Sequence, residues 1–298
     1  MTLTRKLSWL MLAAAMLAGT LAPTPPSPPI NIGGYRVLAA DFHNHTFPGD
    51  WALVAPWDAV LLAKKDRLDV ISLAGQNHIW KGKVAKWFAD RIDGPLVFVG
   101  EEIVSLNYHM LAVGIEHTVP WRQSAAASIE QIHQQGGIAI AAHPVKEFWP
   151  GYDASAMQIL DAAEILHPAS RTDKEFADEV QAFAQRGRFA AIGDSDWRFG
   201  PMGWCRTFVF TREATAQGVL DAIRERRTVV YDRGQWFGDP QLIELSKQDG
   251  RLAYEVTVSS DWLSVLSRIL GGIAVMALLV ASGFPVPLQN PRQSPSTL

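Results

Sequence analysis

Cysteine is nearly absent. Cys205 is the only one in 298 residues, which excludes an intrachain disulfide and any CxxC zinc or redox motif and leaves packing as its role. Charge is also scarce, at 19% of residues with a net of -3, and basic residues are not massed in any window. The electrostatic footprint of a nucleic-acid binder is therefore missing, and a nucleic-acid partner is disfavoured. Nothing in the composition fixes an oligomeric state.

What the chain does have is apolar material. At 48% hydrophobic and 10% aromatic it can bury a sizeable core, as one large or two small domains. Both ends are unusual. Arg5 and Lys6 precede the uncharged stretch Leu7 to Ala22, so 1–22 reads as a secretory signal or a short membrane anchor, and 23–34 reads as a proline-rich linker. Residues 262–288 read as a transmembrane helix, with Trp262 and Arg268 near one interface, and 289–298 as a tail. If Arg5 and Lys6 stay inside, the central domain (35–237, followed by a terminal β extension at 238–261) lies outside the cytoplasm, membrane-anchored at the periplasmic or cell surface.

Short β-like runs alternate with helical ones through the centre. Strands are predicted at 35–43, 68–74, 96–103, 109–115, 138–142, 163–166, 189–196 and 206–210. Pro56 opens one intervening helix, Ser124 caps another, and Gly187 ends a third. This α/β alternation predicts a parallel sheet, open or closed into a barrel, with its site at the carboxyl ends of the strands.

Polar residues crowd those ends. In "DFHNHT" Asp41, His43 and His45 recur at period 2, so an extended chain points them to one face, and two imidazoles converging with a carboxylate suit a metal. Glu101, Glu102, His109, His143, Asp194 and Asp196 end or begin later strands. Together they describe a rim lined with nitrogen and oxygen donors.

The succession "DFHNHT", "LDVISLAGQN", "GEEI", "HMLAVGI", "GGIAIAAHP" and "IGDSDWRFG" resembles the PHP (polymerase and histidinol phosphatase) superfamily of metallohydrolases over about residues 36–231. Within it, "GVLDAIRERRTVVY" is similar to the closing helix and strand of the carbaryl-hydrolase-like branch. The resemblance implies a distorted (β/α)7 barrel and two divalent ions (Mn, Zn or Fe). His43, His45 and Asp196 would hold the first ion, Glu102 would bridge, and His109 and His143 would complete the second. Glu102 is preferred to its neighbour Glu101 by the family's G-x-E pattern, and Asp41 orients ligands.

The third metal of that family is where the chain departs. Asp50 is retained, but the T-D-H-N strand end has become Ala74, Gly75, Gln76 and Asn77, and the expected final His is Trp197. An amide and an indole cannot replace imidazoles, which predicts an empty third position, with His78 as the residue that could reach back to it. "SLAGQNHI" (72–79) thus reads as an altered site. The implied activity is hydrolysis of a small-molecule ester by metal-activated water, most commonly a phosphoester. The alternatives are a carbamate, amide or ester hydrolase and a non-catalytic membrane-tethered module. His167 is the candidate proton donor, Arg198 the candidate for an anionic substrate group, and Lys146 a weaker one. Trp197 would make the vacated position more apolar.

Overall fold

The computed structural model describes residues 2–24, 28–253 and 261–282, in two units: 1–22 with 260–298, and 23–259. Helix α1 (Leu3–Thr20) belongs to the first unit. The second opens with β1 (Ile30–Ile32), inside the stretch predicted to be linker, and turns through Gly33 and Gly34 into β2 (Tyr35–Asn44). Both glycines have positive φ, the pair of left-handed residues that a two-residue hairpin requires.

Helices and strands then alternate: α2 (Pro56–Lys65), β3 (Val70–Gln76), α3 (Trp80–Ala89), β4 (Leu96–Val104), β5 (His109–Val113), α4 (Ala125–Gln134) and β6 (Ile138–Ala141). The order continues with α5 (Ala154–Ile159), β7 (Ala162–Leu166), α6 (Lys174–Ala184), β8 (Ala190–Gly193), β9 (Thr207–Thr211), α7 (Ala216–Arg224), β10 (Thr228–Asp232), β11 (Gln235–Gly238) and α8 (Pro240–Ser246). Several helices start where a side chain satisfies a free backbone N–H: Ser124, Asp173 and Thr215 accept from Ala127, Phe176 and Gly218.

Strands β2, β3 and β4 are parallel, as are β6, β7 and β8, while β5 runs antiparallel to both β4 and β6. The sheet is therefore mixed, not parallel throughout. Only residues 105–108 join β4 to β5, and a parallel crossover needs about a dozen residues or more, so the chain can only turn back. The ring nearly closes: Asn44, at the end of β2, bridges in parallel to Trp197 after β8. The Thr207 hydroxyl of β9 also accepts from the N–H of Gly193 and donates to its carbonyl.

Inward side chains such as Phe42, Phe98, Leu111 and Ile140 form one core with Val219, Leu220 and Ile223 of α7. Arg224 donates to the carbonyls of Gly136 and Gly137, just before β6, so α7 closes the amino end of the strands and leaves the carboxyl end for the site. Met110, Ala112, Ala139 and Ala163 face the other way, against α4, α5 and α6.

The predicted terminal β extension is corrected at α8. Asp239 caps it by accepting from Gln241 and Leu242, and Pro240, whose ring presets a helical φ, takes its first position. Residues 254–260 of that stretch lie outside the described residues, as does the tail at 289–298.

In the first unit α1 packs against α9 (Trp262–Ala281), and Arg5 Nη2 donates to Ser282 Oγ at 3.2 Å. Among the described residues α9 is long and apolar enough to cross a membrane, with a mean hydropathy of 2.2.

Candidate metal centre

The strict alternation predicted for "DFHNHT" fails at a β-bulge. Between Asp41 and Asn44, β2 gains a residue against β3, so Phe42 still faces the core with Leu38 and Ala40, while His43 and His45 turn into the rim. A bulge re-aims side chains in this way beside many active sites. Asp41 ends elsewhere. Its carboxylate accepts from the hydroxyl of Ser195 and from the backbone N–H groups of His43, Ser195 and Gly203, at 3.1–3.3 Å for the three N–H groups. It therefore fastens the segment that carries Asp196, and burial pushes its pKa up to about 6 despite those bonds.

Six of the eight histidines gather at the rim; His117 and His133 do not. His43 Nε2 and His45 Nε2 are 3.1 Å apart, and Asp196 Oδ1 lies 3.4 Å from the first and 3.0 Å from the second. Glu102 Oε2 is 3.7 and 3.4 Å from the same two nitrogens, and Glu102 Oε1 is 3.2 Å from His143 Nε2 and 2.9 Å from His109 Nδ1. Two donor groups result: His43, His45 and Asp196; and His43, Glu102 and His143. His109 reaches the second group through Glu102 and stacks on Phe148 with ring centroids 4.3 Å apart. Because β5 runs backwards, its first residue lies at the same end as the last residues of its parallel neighbours.

Glu101 and Glu102 face opposite sides of β4. Glu101 Oε1 accepts from Val119 N at 2.6 Å, outside the barrel, so the structure places Glu102 and not Glu101 at the rim.

Glu164 was not legible as a site residue. It lies in β7 within the apolar run "AEIL", where only the inward parity of Ala162 and Glu164 gives it away. Its Oε1 accepts from His43 Nδ1 at 2.7 Å and its Oε2 from His143 N at 2.6 Å. The Nδ1 bond orients the ring and leaves Nε2, on the side of His45, as the atom that would meet a metal. Burial opposes a charge on His43, yet Asp196, Glu164 and Glu102 outweigh it and hold its pKa well above that of free histidine. Burial likewise opposes charge on Glu102 and Asp196, but the histidines around them depress both carboxyls well below their usual range. Asp194 goes the other way: burial beside Asp41 and Glu164 raises it, and its Oδ1 accepts from Phe42 N at 2.6 Å.

The set fits divalent ions. Donors each about 2.1 Å from one ion stand about 3.0 Å apart at octahedral and about 3.4 Å at tetrahedral angles, close to the separations above. Glu102 Oε2 is buried without a hydrogen-bond partner. Buried polar atoms normally have one, so a carboxylate oxygen aimed between the Nε2 atoms of His43 and His45 marks the place of a cation. His143 and Asp196 are also held at positive φ (28° and 41°), a backbone cost that clusters at functional sites.

The remaining predicted residues are placed as follows. His167 accepts from Ala169 N at Nδ1, so its proton is on Nε2, 3.5 Å from Asp196 Oδ2. Arg198 is bound to Asp196 Oδ1 at 2.5 Å and to the carbonyl of Asp50, so it clamps a carboxylate of the site instead of standing free for a substrate. Lys146 is exposed and pairs with Glu179. Trp197 donates its Nε1–H to Gly200 O, and its backbone bonds His43 and His45, so it closes the barrel. Gln76 ends β3, half-buried and in register with Glu102. His78 does fold back: Asn77 takes a positive φ of 56°, and His78 Nε2 comes within 3.8 Å of Asp50 Oδ2.

A mixed, nearly closed α/β barrel with a histidine and carboxylate centre at the carboxyl ends of its strands defines the class. Among solved structures the chain is similar to a two-domain protein from Bacteroides vulgatus containing a predicted PHP-like metal-dependent phosphoesterase. The TM-score is 0.61 and the identity 21%, over 75% of this chain and 73% of that one. The fold is thus PHP-like. PsfC from Pseudomonas syringae (TM-score 0.45, 17% identity, 71% of this chain and 96% of that one) overlaps too loosely to carry weight. The same holds for a candidate metal-dependent phosphoesterase of Bifidobacterium adolescentis (0.43, 16%, 62% and 94%). An uncharacterized protein of Methanocaldococcus jannaschii is 29% identical over 119 residues, 36% of this chain and 68% of its own length. No protein-family model matches the sequence.

Proposed function

We propose that the chain is a metal-dependent hydrolase with two divalent ions, of Mn, Zn or Fe, acting on phosphoesters. The observation that carries this is the pair of donor groups sharing His43, with a buried, unpartnered oxygen of Glu102 aimed into them. The PHP-like fold and the phosphoesterase named in its structural neighbour support it. His43, His45 and Asp196 would hold one ion, and Glu102, His143 and His109 the other. Such ions supply a hydroxide near neutral pH and neutralise charge on the attacked group.

The chain's own residues do the rest. Glu164 orients the ring of His43, Arg198 and Asp41 steady the Asp196 segment, and His167 holds a proton on Nε2 at the rim where a leaving oxygen needs one. Phe148, stacked on His109, gives the rim an apolar wall. That wall, with the carbaryl-hydrolase-like resemblance, favours carbamates, amides or carboxyl esters as the second reading.

A chromogenic panel of phosphate mono- and diesters, carboxyl esters and carbamates, with manganese or zinc, tests both. Phosphoester turnover is expected, with a loss of at least about 100-fold and a lower metal count in Glu102→Ala and His143→Ala. Inactivity of the metal-loaded protein on the whole panel would leave a non-catalytic binding module.

The membrane reading is that α1 is retained and pairs with α9. At about 1.5 Å per residue both helices approach the thickness of a bilayer core. Arg5 and Lys6 then face the cytoplasm, and the central unit, joined to the other ends of both helices, lies outside.

A further inference from the structure

The position left without its usual ligands is not vacant. Lys81, in the first turn of α3, is 1% exposed, and its Nζ lies 2.6 Å from Asp50 Oδ2. The same oxygen is 3.7 Å from His45 Nδ1 and 3.8 Å from His78 Nε2. His78 reaches this point only because Gly75 has no side chain: a Cβ there would stand 2.1 Å from His78 Cε1. The donors that survive near the third position are thus one carboxylate and one folded-back imidazole, and the carboxylate already serves an ammonium. A divalent ion at that oxygen would stand beside a fixed ammonium whose side chain is 1% exposed, where screening is weak, and would have His78 as its one other free donor. The Arg198 guanidinium on Asp196, by contrast, is 24% exposed, and that carboxylate stands with two imidazoles.

We infer that the Lys81 ammonium is the third cation of this centre, supplied by the chain itself, and that it holds the metal count at two. An ammonium carries one charge where a divalent ion carries two, and it has no open coordination position. No substrate oxygen can be ligated there, so an anionic substrate meets only the two-ion face. Burial works against the charge on both: it lowers the pKa of Lys81 despite Asp50, whereas His45 and Lys81 together outweigh it and lower that of Asp50.

This inference rests on the metal-binding reading above, and metal counting separates the two. The full chain in detergent is equilibrated with excess manganese, freed of unbound ion and assayed by elemental analysis. Two ions per chain are expected for the wild type and for Asp50→Asn, in which Asp50 is no ligand to lose. Lys81→Ala frees Asp50 and His78 and is expected to take a third. A wild-type count of three, a count below two in Asp50→Asn, or a folded Lys81→Ala that stays at two overturns the inference alone. A wild-type count of zero overturns it together with the metallohydrolase reading. If Lys81→Ala fails to fold, the wild type and Asp50→Asn still decide.

Discussion

Glu101 and Glu102 are neighbours of one chemistry whose surroundings give them opposite charge behaviour. Glu102 faces imidazoles and is held ionised, while Glu101 is buried on the outer side of β4 with one bond from Val119 N, and burial pushes its pKa up to about 7 from 4.5. The folded state thus keeps a proton that the unfolded chain has released. The effect on stability is nil below about pH 4.5, grows as pH rises, and is complete above about pH 7, where it costs on the order of 3 kcal/mol. Glu101→Gln keeps the acceptor for Val119 and removes the ionisation. Thermal unfolding from pH 5 to 8 should show a flatter profile than the wild type and, at pH 8, a Tm higher by several degrees; parallel profiles would clear Glu101 of the role. At this scale the sequence was legible where residues carried a spacing or a motif, as His43, His45, His143 and Asp196 do. It was silent on Glu164 and Lys81. One carboxylate in an apolar strand has no period to betray it, and Lys81 stands among Lys83 and Lys86 on what reads as a solvated helix face.

Elements were legible where a cap or a clean period marked them. Helices α2, α4 and α6 begin at Pro56 or after the side-chain caps Ser124 and Asp173, and the predicted strands fall within a few residues of β2 to β9. Helix α3 was missed because Ile79 offers no side-chain cap and its two tryptophans and three lysines leave no clear apolar stripe. The bulge in β2 and the reversal of β5 were hidden for another reason: both depend on what a strand pairs with, which a single run of residues does not record. The turn after β3 is the element-scale device that matters most for the centre, because Asn77 at positive φ returns His78 over Gly75. In Gly75→Ala the new Cβ would also lie 2.7 Å from the carbonyl oxygen of His78, so the turn itself must shift. Overpacking of this kind costs about 1–3 kcal/mol. A lower urea midpoint with an unchanged m-value is the expected outcome, and an unchanged midpoint would mean that the turn yields without cost.

At the scale of the whole molecule, the two apolar ends are one structural unit whose internal packing a linear reading treats separately. The sequence left 1–22 open between a cleaved signal and an anchor, because each needs the same basic start and apolar run. Packing adds what composition lacks. The buried positions of α1 are Ser8, Leu12, Ala15 and Gly19, and those of α9 are Ser267, Gly271 and Ala274. Mostly small residues at spacings of three and four are what bring helix backbones close in lipid, where no hydrophobic force drives association. A signal removed after export would strip α9 of that partner and bare its small-residue stripe to lipid. The protein extracted from membranes should therefore carry residues 1–22 in its intact mass, and protease added outside sealed cells should digest the central unit. A mass lacking the first helix would return α1 to the role of a signal and leave α9 as a single anchor. A central unit protected from outside protease would reverse the orientation that Arg5 and Lys6 imply.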